Sequence, residues 1–225
     1  MLQPLGVFAI RDSICRPMLY CLSQGASKER QGKIALELKR LDKLAQNGRL
    51  KKRPCVPLLV GVRATNITGP DIPICLMATF RGSLLKNLPE LVQHFAIPVE
   101  TGSRDWDIRT FGRGQILTTT PQWKPSQKNR TGSHRMICFK FPSNERALIG
   151  RCRVPSIMME QYYHLCSEQV EHLVDLCKEK EEFYNDKARC PEFRDRMWDS
   201  TMAYIEHLKR KAGSPPTSDD DCENQ

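Results

Sequence analysis

The chain has 225 residues, 40% of them apolar and 27% charged, which is enough to bury a core without metal or disulfide staples. Its formal charge of +9 is unevenly spread: residues 1–155 carry net +16 and residues 156–225 net −7. That asymmetry argues against a uniformly solvated surface and points the body of the chain toward polyanions. The opening Met1–Ile10 lacks a basic stretch ahead of its apolar residues, and Arg11-Asp12 cuts it short, so no signal peptide is expected. No run approaches the roughly 20 apolar residues of a membrane-spanning helix. The expectation is an intracellular protein, cytoplasmic or nuclear and not secreted. Its ten cysteines should then be reduced and mostly buried.

In chain order, Ser27 is placed to cap a helix running to Gln46. Its apolar positions Ile34, Leu38, Leu41 and Ala45 form one stripe, and Asn47-Gly48 closes it. The other faces carry Lys28, Arg30, Lys33, Lys39, Arg40 and Lys43. Arg49 to Pro54 reads as an exposed basic connector. Val56–Val62 and Ile74–Phe80 have the composition of buried strands. Leu88, Leu91, Val92 and Phe95 repeat as one face of a short helix, with Pro89 tolerated in its first turn. Trp106–Phe111 and Gln115–Thr120 flank Gly112-Arg113-Gly114 as a hairpin. Residues 121–134 read as a polar loop. Arg135–Phe141 alternates, with Met136 and Cys138 on one side and Ile137, Phe139 and Phe141 on the other. A last strand follows at Ala147–Val154. From Ser156 the spacing of Met159, Tyr163, Cys166, Val170, Leu173, Cys177 and Tyr184 predicts a helix, and Pro191 starts a second that Gly213 stops.

The fold class expected is α+β. It comprises an N-terminal basic helix, a mixed or antiparallel sheet with one short helix, and a C-terminal antiparallel helical hairpin. The segments are 1–53 (basic helix), 54–155 (basic sheet domain), 156–213 (helical hairpin) and 214–225 (disordered acidic tail).

For function, no phosphate-binding Gly-rich loop, GxSxG or HExxH is present, so no catalytic residue and no cofactor is expected and the chain reads as a non-enzyme. His164, Cys166, His172, Cys177 and Cys190 cluster in sequence. They lack the tight paired spacing of structural zinc, so no metal is expected. The basic segments carry the strongest signal. The expected polyanion contacts in the first are Lys39, Arg40, Lys43, Arg49, Lys51, Lys52 and Arg53, the last three doubling as a nuclear localisation signal. In the second they are Arg109, Arg113, Trp123, Lys124, Lys128 and Arg130. Trp123, between Pro121 and Pro125, is expected exposed for stacking or anchoring. The central expectation is that the two segments converge in space.

The strand-then-helix run Ile74–Gly82 into Leu88–Phe95, followed by basic strands to Val154, resembles the matrix proteins of rhabdoviruses, particularly plant-infecting ones. The likeness covers about 80 residues by pattern; the PPxY motif is absent, since Pro215-Pro216 is followed by Thr217-Ser218. The resemblance implies self-association, contact with a ribonucleoprotein and with membrane, and nuclear entry. The leading expectation is therefore a non-enzymatic basic protein that binds RNA, a ribonucleoprotein or an anionic membrane surface, with a homo-oligomer formed through the C-terminal helices. The alternative is an interaction adaptor using the C-terminal hairpin, F-box-like or of the silencing-suppressor type. For the former, Leu88-Pro89-Glu90-Leu91-Val92 resembles the start of an F-box.

Overall fold

The computed structural model describes residues 5–58, 72–80, 83–100, 116–124, 135–143, 148–154 and 161–213. In chain order its elements are β1 (Leu5–Gly6), β2 (Phe8–Arg11), α1 (Cys15–Ser23), α2 (Lys28–Gln46), β3 (Lys52–Pro57), β4 (Ile72–Ala78), α3 (Glu90–Phe95), β5 (Ala96–Pro98), β6 (Arg135–Ile137), β7 (Phe141–Ser143), β8 (Leu148–Arg151), β9 (His164–Leu165), α4 (Ser167–Lys187) and α5 (Pro191–Gly213). The class is α+β, as the residue patterns predict. Among the described residues no helix is long and apolar enough to cross a membrane.

The pleat of β4 explains the architecture. Ile72, Ile74, Leu76 and Ala78 point into one apolar cluster, while the intervening Cys75 and Met77 point into a second. Side chains alternate across a strand, so an apolar residue at nearly every position means that both faces of this strand are dry. Each fully buried Leu or Ile contributes about 1.5–3 kcal/mol. The strand lies inside a seven-stranded sheet ordered β5-β6-β4-β3-β2-β8, with β7 also on β4. Every pairing between named strands is antiparallel. The first cluster is completed by α1, α2, α3 and α5, the second by α4 and the segments around Leu117, Trp123 and Tyr163. Because β2 sits between β3 and β8, the N-terminal 53 residues share both cores with the sheet.

The basic helix forms as its sequence dictates. Ser27 Oγ accepts a hydrogen bond from Arg30 N at 3.3 Å, and Gly48 takes φ +67° just past the end. Three local expectations are corrected. The exposed connector at 49–54 is already strand from Lys52, because Lys52–Cys55 pair with Phe8–Arg11. The single strand over 135–141 is broken in two: β6 and β7 both lie along β4, and between them Cys138 N turns to donate to Phe95 O at 2.9 Å. The helix expected from Ser156 starts instead at Ser167. Tyr163 and Leu165 are spaced for a strand, both reach the second core, and Leu5–Gly6 pair with His164–Leu165. Of the expected 106–120 hairpin, residues 106–115 lie outside the described residues, as do 125–134 and the acidic tail 214–225.

The chain ends in two adjacent helices, joined around Ala188–Cys190, where Tyr184 meets Phe193 with ring centroids 5.8 Å apart. Beyond that junction they serve different cores. Val170, Leu173, Leu176 and Cys177 of α4 enter the second, and Met197, Trp198 and Ile205 of α5 the first. His94 Nε2 donates to Lys180 O at 2.8 Å and Lys180 Nζ donates to His94 O at 2.7 Å, clamping α3 to α4. Burial lowers the pKa of both groups, against the opposing pull of the His94 hydrogen bond and of charges around Lys180.

Candidate polyanion-binding face

The pleat that divides the cores also divides the Lys51-Lys52-Arg53 run. Lys51 and Arg53 share one face with Cys55, which belongs to the first core, whereas Lys52 points away and is exposed. Their face looks toward the last turns of α5, where His207 and Lys211 lie one helical turn apart. The four line a single cleft of about 160 Å³, together with Ser13, Ile14, Thr79, Phe80, Ser83 and Tyr204. Among the described residues no Asp or Glu lines it. Arg53 is held in place, its Nε donating to Asp12 O at 3.1 Å. Phe80, on the wall, has φ +51°, a region that bulky residues rarely occupy.

Around the cleft, pairing decides which charges face outward. All three carboxylates of residues 28–53 have partners. Glu29 pairs with Lys33 at 2.8 Å and Asp42 with Arg16 at 2.9 Å. Glu37 accepts from Arg40 at 2.9 Å and from Lys209, which also pairs with Glu206 at 2.7 Å. This network ties α2 to α5. Burial raises the Glu37 pKa, but the hydrogen bonds from Lys209 and Arg40 outweigh it and the carboxyl stays below its ordinary value. Asp12 is raised, because burial outweighs the Arg16 that pairs with it at 2.7 Å. Arg30 reaches Asp195 at 2.7 Å and lies over the Trp198 ring. Lys39, Lys43, Arg49 and Lys52 remain exposed and, among the described residues, without an ion pair. They lie where the end of α2 runs into β3, a junction held by Arg11 Nη1 on Gly48 O and Leu50 O, each at 3.3 Å.

The second basic segment is arranged differently. Arg109, Arg113, Lys128 and Arg130 lie outside the described residues. Trp123 is not the exposed anchor expected: it is 7% exposed, packed on Tyr163 with ring centroids 4.3 Å apart, and belongs to the second core. Its flanking prolines hold the chain against the sheet rather than projecting it. Lys124 is exposed beside it, its backbone N donating to Tyr163 Oη at 3.3 Å. Arg135 is buried and donates to Ser83 O at 3.1 Å. Lys140 pairs with Glu181 at 3.7 Å. Arg151 and Arg153 are exposed at the β8 end, over the rings of Phe8 and Tyr162. Among the described residues, then, the first basic segment is joined at the cleft by the C-terminal helix, not by the second basic segment. His207 and Lys211 were missed because the −7 of the C-terminal region hides its basic end. The run His207-Leu208-Lys209-Arg210-Lys211 was the available signal, placed where a helix C-terminus favours cations.

Other constellations resolve as packing. His164 is in β9 and not on a helix, so it shares no helical face with Glu168 and His172. Among the described residues no group of three His, Cys, Asp or Glu side chains is arranged to hold a metal. Nine cysteines are described, all free, six of them buried, and Cys190 is exposed. Cys75 and Cys177 lie 3.6 Å apart, sulfur to sulfur, inside the second core. Hydrogen bonds from Cys138 and Cys75 make Cys177 the most acidic of the three, and raise its neighbours together with burial. Leu88, Leu91, Val92 and Phe95, the apolar face of the F-box-like segment, are buried in the first core. No protein-family model, no curated protein and no solved structure matches the chain.

Proposed function

We propose that the chain is a non-enzymatic binding protein that holds a phosphate-bearing polyanion, nucleic acid or ribonucleoprotein foremost. The observation that carries this reading is one cleft lined by Lys51, Arg53, His207 and Lys211 with no lining carboxylate among the described residues, beside the unpaired Lys39, Lys43, Arg49 and Lys52. A group of like charges left uncompensated while every neighbouring carboxylate is paired raises the local potential and concentrates counter-ions there. The burial of Trp123 removes an aromatic anchor for bilayers, and the exposed large apolar residues Leu36, Leu84, Ile149 and Phe183 sit on different segments rather than in a patch. Both points favour a soluble polyanion over insertion into a membrane. The apolar stripes of α3, α4 and α5 fill the protein's own cores, which supports this reading over an adaptor that would offer them to a partner.

The test is equilibrium binding of the full chain to a single-stranded RNA oligonucleotide over a range of salt. With four to six phosphate contacts, log K should fall by about 3 to 4 for each tenfold rise in salt. A flat response, or no binding at low salt, contradicts the proposal. Binding to vesicles rich in anionic lipid without binding to RNA would transfer it to membranes, the narrower matrix-type role.

A further inference from the structure

We propose that the cleft between β3 and α5 receives a phosphomonoester group, the terminal phosphate of a nucleic-acid strand. This rests on the polyanion-binding reading and assigns the cleft a task within it. Size is the first argument. At about 160 Å³ the cleft holds the volume of roughly five waters. Small-molecule pockets usually run from about 300 Å³ upward, so the cleft fits a charged group rather than a whole nucleotide.

Charge is the second. A diester in the middle of a strand carries one negative charge, whereas a monoester carries about −1.5 to −2 at neutral pH. Lys51 and Arg53 enter from β3 at spacing two, and His207 and Lys211 from α5 at spacing four, so two pairs from two elements line one small space. Such a set matches a dianion and over-neutralises a monoanion. The guanidinium of Arg53 is oriented by its bond to Asp12 O, so less freedom is lost when an anion arrives. Ile14, Ala78, Phe80 and Leu208 supply apolar wall, which strengthens each charge–charge contact by excluding water. Hydroxyls of Ser13, Thr79, Ser83 and Tyr204 offer further donors suited to three terminal phosphate oxygens.

The position is the third argument. Lys39, Lys43, Arg49 and Lys52 lie outside the cleft and not in it, on the segment that leads to Lys51. A strand whose end is seated in the cleft has cations available for the diesters that follow.

The experiment compares one RNA decamer carrying a 5′-phosphate with the same decamer ending in a 5′-hydroxyl, bound to the full chain at fixed salt. The phosphorylated strand should bind about tenfold tighter, the scale of one charge-assisted contact set. The variant Lys211→Ala, at an exposed position near the helix end, should erase that preference and leave the 5′-hydroxyl affinity within twofold. Lys51→Ala should do the same, with a thermal melt showing that each variant is folded. Equal affinity for the two decamers overturns the inference while leaving the polyanion reading intact. Failure of both to bind at low salt overturns that reading itself. A 3′-phosphate that gives the same gain supports the monoester assignment, and inorganic phosphate should compete selectively for the phosphorylated strand. A preference that survives both variants places the recognition elsewhere and overturns the cleft. Binding to phosphatidic acid vesicles in place of the decamer overturns the assignment to a strand end.

Discussion

The two basic stretches have similar net charge in sequence and opposite fates in the fold. In residues 28–53 the carboxylates are the paired groups, and Lys39, Lys43, Arg49 and Lys52 are left over. In the described part of the second stretch several cations are themselves used: Arg135 is sealed against Ser83, and Lys140 leans on Glu181. Net charge counted along a chain therefore says little about charge presented to a partner. Burial and the pairing of acids decide that, and both are tertiary properties.

Three variants test whether the second stretch is structural as this comparison requires. Trp123→Ala should have the largest effect, lowering stability by about 3–5 kcal/mol as a large buried ring is lost from the second core. Urea unfolding would measure it, and the RNA affinity of the folded fraction should stay unchanged; a selective loss of affinity would return Trp123 to the binding face. Arg135→Met should cost about 2 kcal/mol, since it removes a buried donor and leaves Ser83 O without it. Here too the salt slope of RNA binding should match that of the parent. Glu37→Gln probes the other stretch, where the acid latches α2 to α5. It should cost about 1 kcal/mol at neutral pH, the scale of a partly exposed ion-pair network.

The pH dependence of that last variant follows from the sign of the shift. Because the folded Glu37 titrates below its ordinary value of 4.5, its stabilisation is fully present above that value and is lost as pH falls through the folded pKa. The stability gap between parent and Glu37→Gln should accordingly be widest at neutral pH and close in acid. A gap that persists at pH 3 would mean that Glu37 acts through packing and not through charge.

Much of the fold was legible in the residues because local signals agreed with one another. Ser27 and Gly48 bracket α2, and the alternation of Met136 and Cys138 against Ile137 and Phe139 maps onto the two cores. Where the reading failed, tertiary pairing had overridden it. Tyr163 continues the helical spacing of α4 by coincidence, yet β1 and the second core hold its segment extended. The site was half legible. Lys51 and Arg53 stood out as a basic run, but nothing in the sequence says that they would meet His207 and Lys211, more than 150 positions away. A helix that is acidic over most of its length and basic in its last turn loses that distinction when charges are summed by segment.

The most direct test removes equal charge from the two stretches. K39A/K43A/R49A/K52A strips four cations from the region beside the cleft, and K124A/K140A/R151A/R153A strips four from the second stretch. RNA binding by both should be measured against salt. The first variant should lose affinity by more than about tenfold and flatten the salt slope by roughly 2 to 3, while the second stays within about threefold of the parent. Matching losses in the two variants would contradict the account, because binding would then track total charge and not the face that the fold assembles.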